Sequence, residues 1–261
     1  GGVGPHYDNY DVLLIQASGQ RRWEVGGIFG EDSPRRDNTP VMILPEWNPE
    51  EVFILNPGDM LYIPPRLGHN GTAESDDCMT YSVGFRAPSH ADILRQFTDF
   101  VGEQLKSETR YSDPDLILQQ SPGLIRQTDM EKVRAIITDY VNEPDLLENW
   151  FGQFMTEHKY PEQAASSGNS ETYSVEELTE YLQEGGLLYR SEGSRFAYRE
   201  KADGSAVLFV NGEACDVSAG SINFARALCD EPAICSEHVT TIEAQEILTE
   251  LYNMEALYGE E

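Results

Sequence analysis

The chain has 261 residues, a length that implies about two domains, and with 39% hydrophobic and 10% aromatic residues it has the means to bury a core. Its 46 acidic and 18 basic side chains give a net charge of −28. No region is basic: residues 1–88 carry 6 basic against 13 acidic groups, 89–171 carry 7 against 15, and 172–261 carry 5 against 18. A phosphate backbone or an anionic lipid surface therefore has no electrostatic footprint to bind, and a macromolecular partner is expected to be basic.

No apolar run approaches the roughly 18 residues of a membrane span, and no signal peptide is visible. Cys78, Cys215, Cys229 and Cys235 show no C-x-x-C spacing and read as free thiols in a reducing cytoplasm.

Residues 1–88 read as β structure. Five short segments are rich in β-branched and aromatic residues and bounded by Gly, Pro, Asn and Asp: Tyr10–Gln16, Gln20–Val25, Glu51–Leu55, Met60–Ile63 and Met79–Phe85. The polar, Pro-containing stretch 30–50 reads as a loop. At Ser89 the period changes to helical, with Asp92 as the capping partner and Ile93, Leu94, Phe97, Phe100, Val101 and Leu105 on one stripe. A second helix is predicted from Thr128, paired with Glu131, and a third after Pro144. So many large apolar residues on three short helices need a further surface to cover them, either the β domain or a second subunit.

The polar stretch 158–171 reads as a linker. Beyond it, Ser174 with Glu177 opens a helix to about Glu184. Strands follow at Leu187–Arg190, Arg195–Glu200 and Ala206–Val210, with Asn211-Gly212 as a type I′ turn signal, and helices near Gly220–Cys229 and Thr241–Met254 close the chain. This order resembles a winged helix. The segment is the most acidic third, so a protein-contact or structural role is expected rather than DNA binding.

The chemistry concentrates in His6-Tyr7-Asp8 and His69. In an extended segment His6 and Asp8 project to one side. A third ligand from a later strand completes a two-His, one-carboxylate triad that leaves metal positions open, as non-haem Fe(II) oxygenases require. The stretch Asn56-Pro57-Gly58-Asp59 leads into a strand, and a Pro64-Pro65 turn then delivers His69. His90, His158 and His238 read as structural or solvated.

Taken with Gly19-Gln20-Arg21-Arg22-Trp23, the Pro57–His69 stretch and Tyr81-Ser82-Val83-Gly84-Phe85-Arg86-Ala87-Pro88, the motifs resemble those of the JmjC-type ribosomal oxygenases. The resemblance implies an α+β fold: a cupin/JmjC double-stranded β-helix over 1–88, a helical dimerisation region over 89–157, and a winged-helix-like module over 172–261. It implies His6, Asp8 and His69 as iron ligands, and 2-oxoglutarate and dioxygen as co-substrates. Arg21 stands where the family anchors the distal carboxylate of 2-oxoglutarate. Arg22 alternates to the opposite face, and Ser82 is a further candidate for a hydrogen bond to the co-substrate. The implied activity is hydroxylation of an arginine in a ribosomal protein of the large subunit. Histidyl hydroxylation, or a metal-binding cupin scaffold without catalysis, is the alternative. Since the family's barrel needs about eight strands and only five are counted, the barrel is expected to be incomplete at its N-terminal side.

Overall fold

The computed structural model describes residues 2–39, 41–114, 116–158 and 172–259. It divides into two compact units, residues 1–92 and 93–261.

Among its described residues the first unit holds eight strands: β1 (His6–Tyr7), β2 (Asp11–Ser18), β3 (Arg21–Ile28), β4 (Met42–Ile43), β5 (Glu51–Leu55), β6 (Met60–Ile63), β7 (Leu67–Ala73) and β8 (Met79–Phe85). They form two antiparallel sheets, one in the order β4-β1-β7-β3-β5 and one in the order β6-β2-β8. All five strands expected from the sequence are present. The count of five is corrected to eight, because β1 and β4 have two residues each and β7 (LGHNGTA) lacks the β-branched alternation that marks a strand.

Partners on either side impose the β7 conformation: it pairs with β1 at His6↔His69 and with β3 from Val25↔His69 to Arg21↔Ala73. Its glycines have steric reasons. A Cβ on Gly71 would lie 2.6 Å from the Trp23 ring, and one on Gly68 would meet Phe29, Trp47 and the Gly26 carbonyl at 2.5–2.8 Å.

The inward residues of the two sheets meet in one core. Val12, Leu14 and Ile63 come from one sheet, and Trp23, Val25 and Leu55 from the other. On the outer face, Glu24 pairs with Arg22 and accepts hydrogen bonds from Trp47 Nε1 at 2.9 Å and Asn70 Nδ2 at 3.0 Å. These bonds, from Asn70 first, hold the Glu24 carboxyl below its usual range and clip the 30–50 stretch onto β3 and β7.

Three helices follow the strands, α1 (His90–Gln104), within which the second unit begins, α2 (Gln127–Val141) and α3 (Leu146–Thr156). Ser89 and Asp92 cap α1 as expected, the Ser89 backbone amide donating to Asp92 and the Asp92 amide to Ser89 Oγ. The expected Thr128–Glu131 cap is corrected: Arg126 is the N-cap, and its amide donates to the Asp129 carboxylate at 3.1 Å. Phe97, Val101 and Trp150 form a small core, with Phe154 stacked on Trp150 at 5.2 Å between ring centroids. None of the α2 residues is buried, and Met130, Val133, Ile136, Ile137 and Val141 are exposed.

The C-terminal elements are α4 (Val175–Gln183), β9 (Leu188–Arg190), β10 (Phe196–Glu200), β11 (Ala206–Val210), β12 (Glu213–Val217), α5 (Ile222–Asp230), α6 (Ile242–Asn253) and β13 (Leu257–Gly259). Ser174 and Glu177 form the expected capping box. Positive φ angles at Asn211 (52°) and Gly212 (92°) fit the expected hairpin turn. The sequence reading missed β12 and β13: EACDV carries an acidic residue on each face, and LYG has three residues.

Strands β10-β11-β12 form a sheet that packs with α4, α5 and α6 around Leu182, Leu208, Phe224, Leu228 and Leu248. Helix α3 joins this module. The Gly212 amide donates to Thr156 Oγ1 at 3.1 Å, and Gly152 leaves room for the Phe209 ring. Of the expected linker, residues 159–171 lie outside the described residues.

Candidate active site

The strands place the three sequence-predicted ligands together. A ligand atom from each of His6, Asp8 and His69 lies within 4.8 Å of the others. His69 Nε2 is 3.8 Å from Asp8 Oδ2, and the two imidazole rings are 4.2 Å apart between centroids. Each imidazole uses Nδ1–H to donate to the carbonyl two residues before it, His6 to Gly4 at 2.8 Å and His69 to Leu67 at 3.0 Å. That tautomer leaves both Nε2 lone pairs free to bind a metal, and the backbone bonds hold the rings in place. Burial pushes the His69 pKa down, which favours the neutral imidazole a metal requires.

One turn orients two of the three residues. In Pro64-Pro65-Arg66-Leu67, the Leu67 amide donates to the Pro64 carbonyl at 3.3 Å, and Arg66 takes a φ of 71°. Proline at the second position and a left-handed third residue are the marks of a type II turn. The Arg66 amide then donates to the Asp8 carbonyl at 2.7 Å, while the Leu67 carbonyl receives His69 Nδ1. Gly68 is enclosed just before His69. Gly68→Ala is expected to destabilise the protein by about 1–3 kcal/mol, because a backbone carbonyl cannot move aside as a side-chain end does. Chemical denaturation measures this, and an unchanged midpoint would contradict the packing argument.

A polar end of the pocket lies along the same interior face. Residues directly opposite in an antiparallel pair share a face, so His69 and Val25, Gly71 and Trp23, and Ala73 and Arg21 form successive interior rows. Arg21 stands two rows from His69, its guanidinium 5.6 Å from the centre of the Trp23 ring. Arg22 is on the outer face with Glu24, as alternation predicted. Arg21 Nε and Trp23 Nε1 are both buried without a hydrogen-bond partner. Buried donors left unpaired are costly, and two of them on neighbouring interior rows fit an acceptor-rich anionic ligand such as a carboxylate. Ser82 is paired opposite Leu14, on the inward-facing side of β8, and is exposed.

The sequence reading missed Cys78, which lies against Arg21, and its partners Gln16 and Thr80. Gln16 is only 1% exposed, and its Oε1 accepts from Thr80 Oγ1 at 2.7 Å. Its Nε2 donates to the Ser18 carbonyl at 2.7 Å and approaches Cys78 Sγ at 3.5 Å. Burial pushes the Cys78 thiol up, but hydrogen bonds from Arg21, Gln16 and Thr80 and the Arg21 charge together leave the thiol below its ordinary value. The available signal was a glutamine at the third inward position of β2, after Val12 and Leu14.

A family model described as JmjC domain matches residues 1–93, and one described as ROXA-like winged helix matches 133–258. The Escherichia coli ribosomal protein uL16 3-hydroxylase is 34% identical over 241 residues, covering 88% of this chain and 63% of that protein. The chain thus spans less than two thirds of the length of that relative.

The X-ray structure of E. coli YcfD superposes with a TM-score of 0.87 at 30% identity, covering all of this chain and 68% of that one. A structure of the ribosomal oxygenase YcfD in complex with cobalt and 2-oxoglutarate superposes with a TM-score of 0.84 at 29% identity, over all of this chain and 67% of that one. With a JmjC domain followed by a ROXA-like winged helix, and with a close structural match along its whole length, the chain belongs to the family of JmjC-domain ribosomal oxygenases.

Proposed function

We propose that the intact protein is an Fe(II)- and 2-oxoglutarate-dependent oxygenase that hydroxylates an arginine of a large-subunit ribosomal protein. The observation that carries this reading is the interior face of β3 and β7, with His6, Asp8 and His69 at one end and Arg21 two rows away. The name of the E. coli relative and the ligands bound in its structural neighbour support the same substrate class and co-substrate. When bound, the metal and 2-oxoglutarate supply the oxidising chemistry, consuming dioxygen and releasing succinate and carbon dioxide.

The chain's residues prepare that chemistry. His6, Asp8 and His69 would hold the metal with two imidazoles and one carboxylate. Arg21 takes the distal carboxylate of the co-substrate with its planar set of donors, and Ser82 adds a hydrogen bond from the opposite sheet. Trp23, at 6% exposure, keeps water from the space between the two ends. The net charge of −28 suits a basic ribosomal protein.

Mass spectrometry of ribosomal proteins from cells with and without the intact protein tests the reading. The expected difference is 16 Da on one arginine-containing peptide, the mass of one oxygen atom. A modified histidine would overturn the residue assignment. Absence of peptide-stimulated succinate formation with Fe(II) would overturn the oxygenase itself.

Two partner readings accompany this one. The exposed apolar stripe of α2 supports homodimerisation through 89–157, so light scattering is expected to give twice the protomer mass. A single-protomer mass across a wide concentration range would reject it. The acidic 172–261 module is not expected to bind nucleic acid, and salt-sensitive retention of the intact protein on DNA would show otherwise. Among the described residues no helix is long and apolar enough to cross a membrane. A ribosomal-protein substrate accords with a cytoplasmic site of action.

A further inference from the structure

Among the described residues of the first unit, two polar side chains stand out as fully buried: His69, at 3% exposure, and Gln16, at 1%. The first is a proposed metal ligand. The second has no part in the mechanism above, yet its hydrogen-bonding capacity is spent on Thr80 and on the turn that leads into Arg21.

Gln16 sits where the β2–β8 register shifts, so that Gln16 pairs with Thr80 and Ser18 with Met79. Its Nε2 reaches the Ser18 and Gly19 carbonyls at 2.7 and 3.3 Å, bridging the bulge and the turn that lead into β3. Gly19 has a φ of 61°, and a Cβ there would strike Ser75, Asp77 and Cys78 at 2.2–2.9 Å. The turn is also docked on the 74–78 loop, by Ser18 Oγ to the Asp77 carbonyl and by the Gln20 amide to Ser75 Oγ. Arg21 leaves this turn directly. Where its guanidinium begins is therefore set by a segment whose inner side is tied by one carboxamide.

We propose that Gln16 is the positioning residue for the co-substrate end of the pocket, holding the 16–20 bulge and turn so that Arg21 meets a distal carboxylate. This rests on the reading of Arg21 as the 2-oxoglutarate anchor. Gln16 touches neither metal nor co-substrate in this scheme. Thr80 fixes its orientation: the Thr80 hydroxyl donates to Oε1, which leaves Nε2 facing the two carbonyls. An aliphatic side chain of similar size fills the volume but leaves the carbonyls and the Thr80 hydroxyl without a partner.

The test compares two ligands on the intact, Mn(II)-loaded protein by calorimetry without oxygen. One is 2-oxoglutarate. The other is 2-oxopentanoate, which has the same carbon chain and metal-binding end but no distal carboxylate. Gln16→Met is expected to weaken 2-oxoglutarate about 10-fold, the equivalent of one hydrogen bond's net contribution, and to leave 2-oxopentanoate unchanged within about a factor of two. Equal weakening of both ligands would mean general damage, and no change in either would mean that Gln16 positions nothing; each result overturns the proposal.

If Gln16→Met does not fold, Thr80→Val removes only the hydroxyl that orients the carboxamide. It is expected to shift the ligand ratio the same way, by a few-fold, and an unchanged ratio overturns the proposal. Arg21→Ala separates the two levels. If it fails to weaken 2-oxoglutarate selectively, the anchor reading falls. If it succeeds while the Gln16 variant binds normally, only the positioning role falls.

Discussion

Asp8→Ala is expected to lower the protein's affinity for Fe(II) or Mn(II) by more than about 100-fold. Residues that merely support a metal ligand cost 10- to 100-fold on removal, and Asp8 supplies the single carboxylate of the triad. The fold should persist, because the backbone carbonyl of Asp8, and not its side chain, receives the Arg66 amide. Two measurements separate these effects. Without metal, variant and wild type are expected to unfold at closely similar temperatures. With metal at about 100 times the wild-type Kd, the wild type gains about 2.7 kcal/mol by mass action, and the variant gains less than about 0.4 kcal/mol. A variant that keeps its metal-induced stabilisation would remove Asp8 from the ligand set. Adding excess chelator to the wild type should reproduce the variant's behaviour, since the proposed ligands remain but the ion is withdrawn.

The contrast between what the sequence conveyed and what needed the structure follows from the range of the interactions involved. His6 and Asp8 are two residues apart on an extended segment, so their common direction is local information, and a Pro-Pro turn announced the arrival of His69. Arg21 and Arg22 were separable by alternation alone, and β3 places Arg22 against Glu24 on the outer face.

The strand that carries His69 was not legible. Its glycines are dictated by Trp23, Phe29 and Trp47, residues 21 to 48 positions earlier, and its pairing comes from β1 and β3. Gln16 was hidden for a similar reason. Gln16 reads as the last residue of an apolar strand, where a polar side chain beside a turn is as well placed in water, and only the approach of Thr80 and Cys78 from β8 and the loop before it shows it to be buried. The cap of α2 was misplaced by two residues because Asp129 and Glu131 both offer a carboxylate near the helix start. The closer fit of Asp129 to the Arg126 amide decides between them.

The two neighbouring arginines offer the sharpest test of the pocket's polar end. Arg21→Ala is expected to weaken 2-oxoglutarate by roughly 30-fold or more, about 2–5 kcal/mol, which is the usual cost of truncating one member of a buried, hydrogen-bonded charge pair. Arg22→Ala is expected to leave 2-oxoglutarate affinity within about a factor of two and to cost under about 1 kcal/mol of stability, since its pairing with Glu24 is partly solvated. The two side chains carry the same charge one residue apart, so a through-space electrostatic effect on the bound dianion would weaken it in both variants to comparable degrees. Contact with the carboxylate predicts a large effect in one variant alone. Arg21→Lys refines the point: it keeps the charge but loses the planar pair of donors, and should fall between wild type and Arg21→Ala. Equal affinities for the two alanine variants would leave the pocket without its proposed anchor, whatever the metal site does.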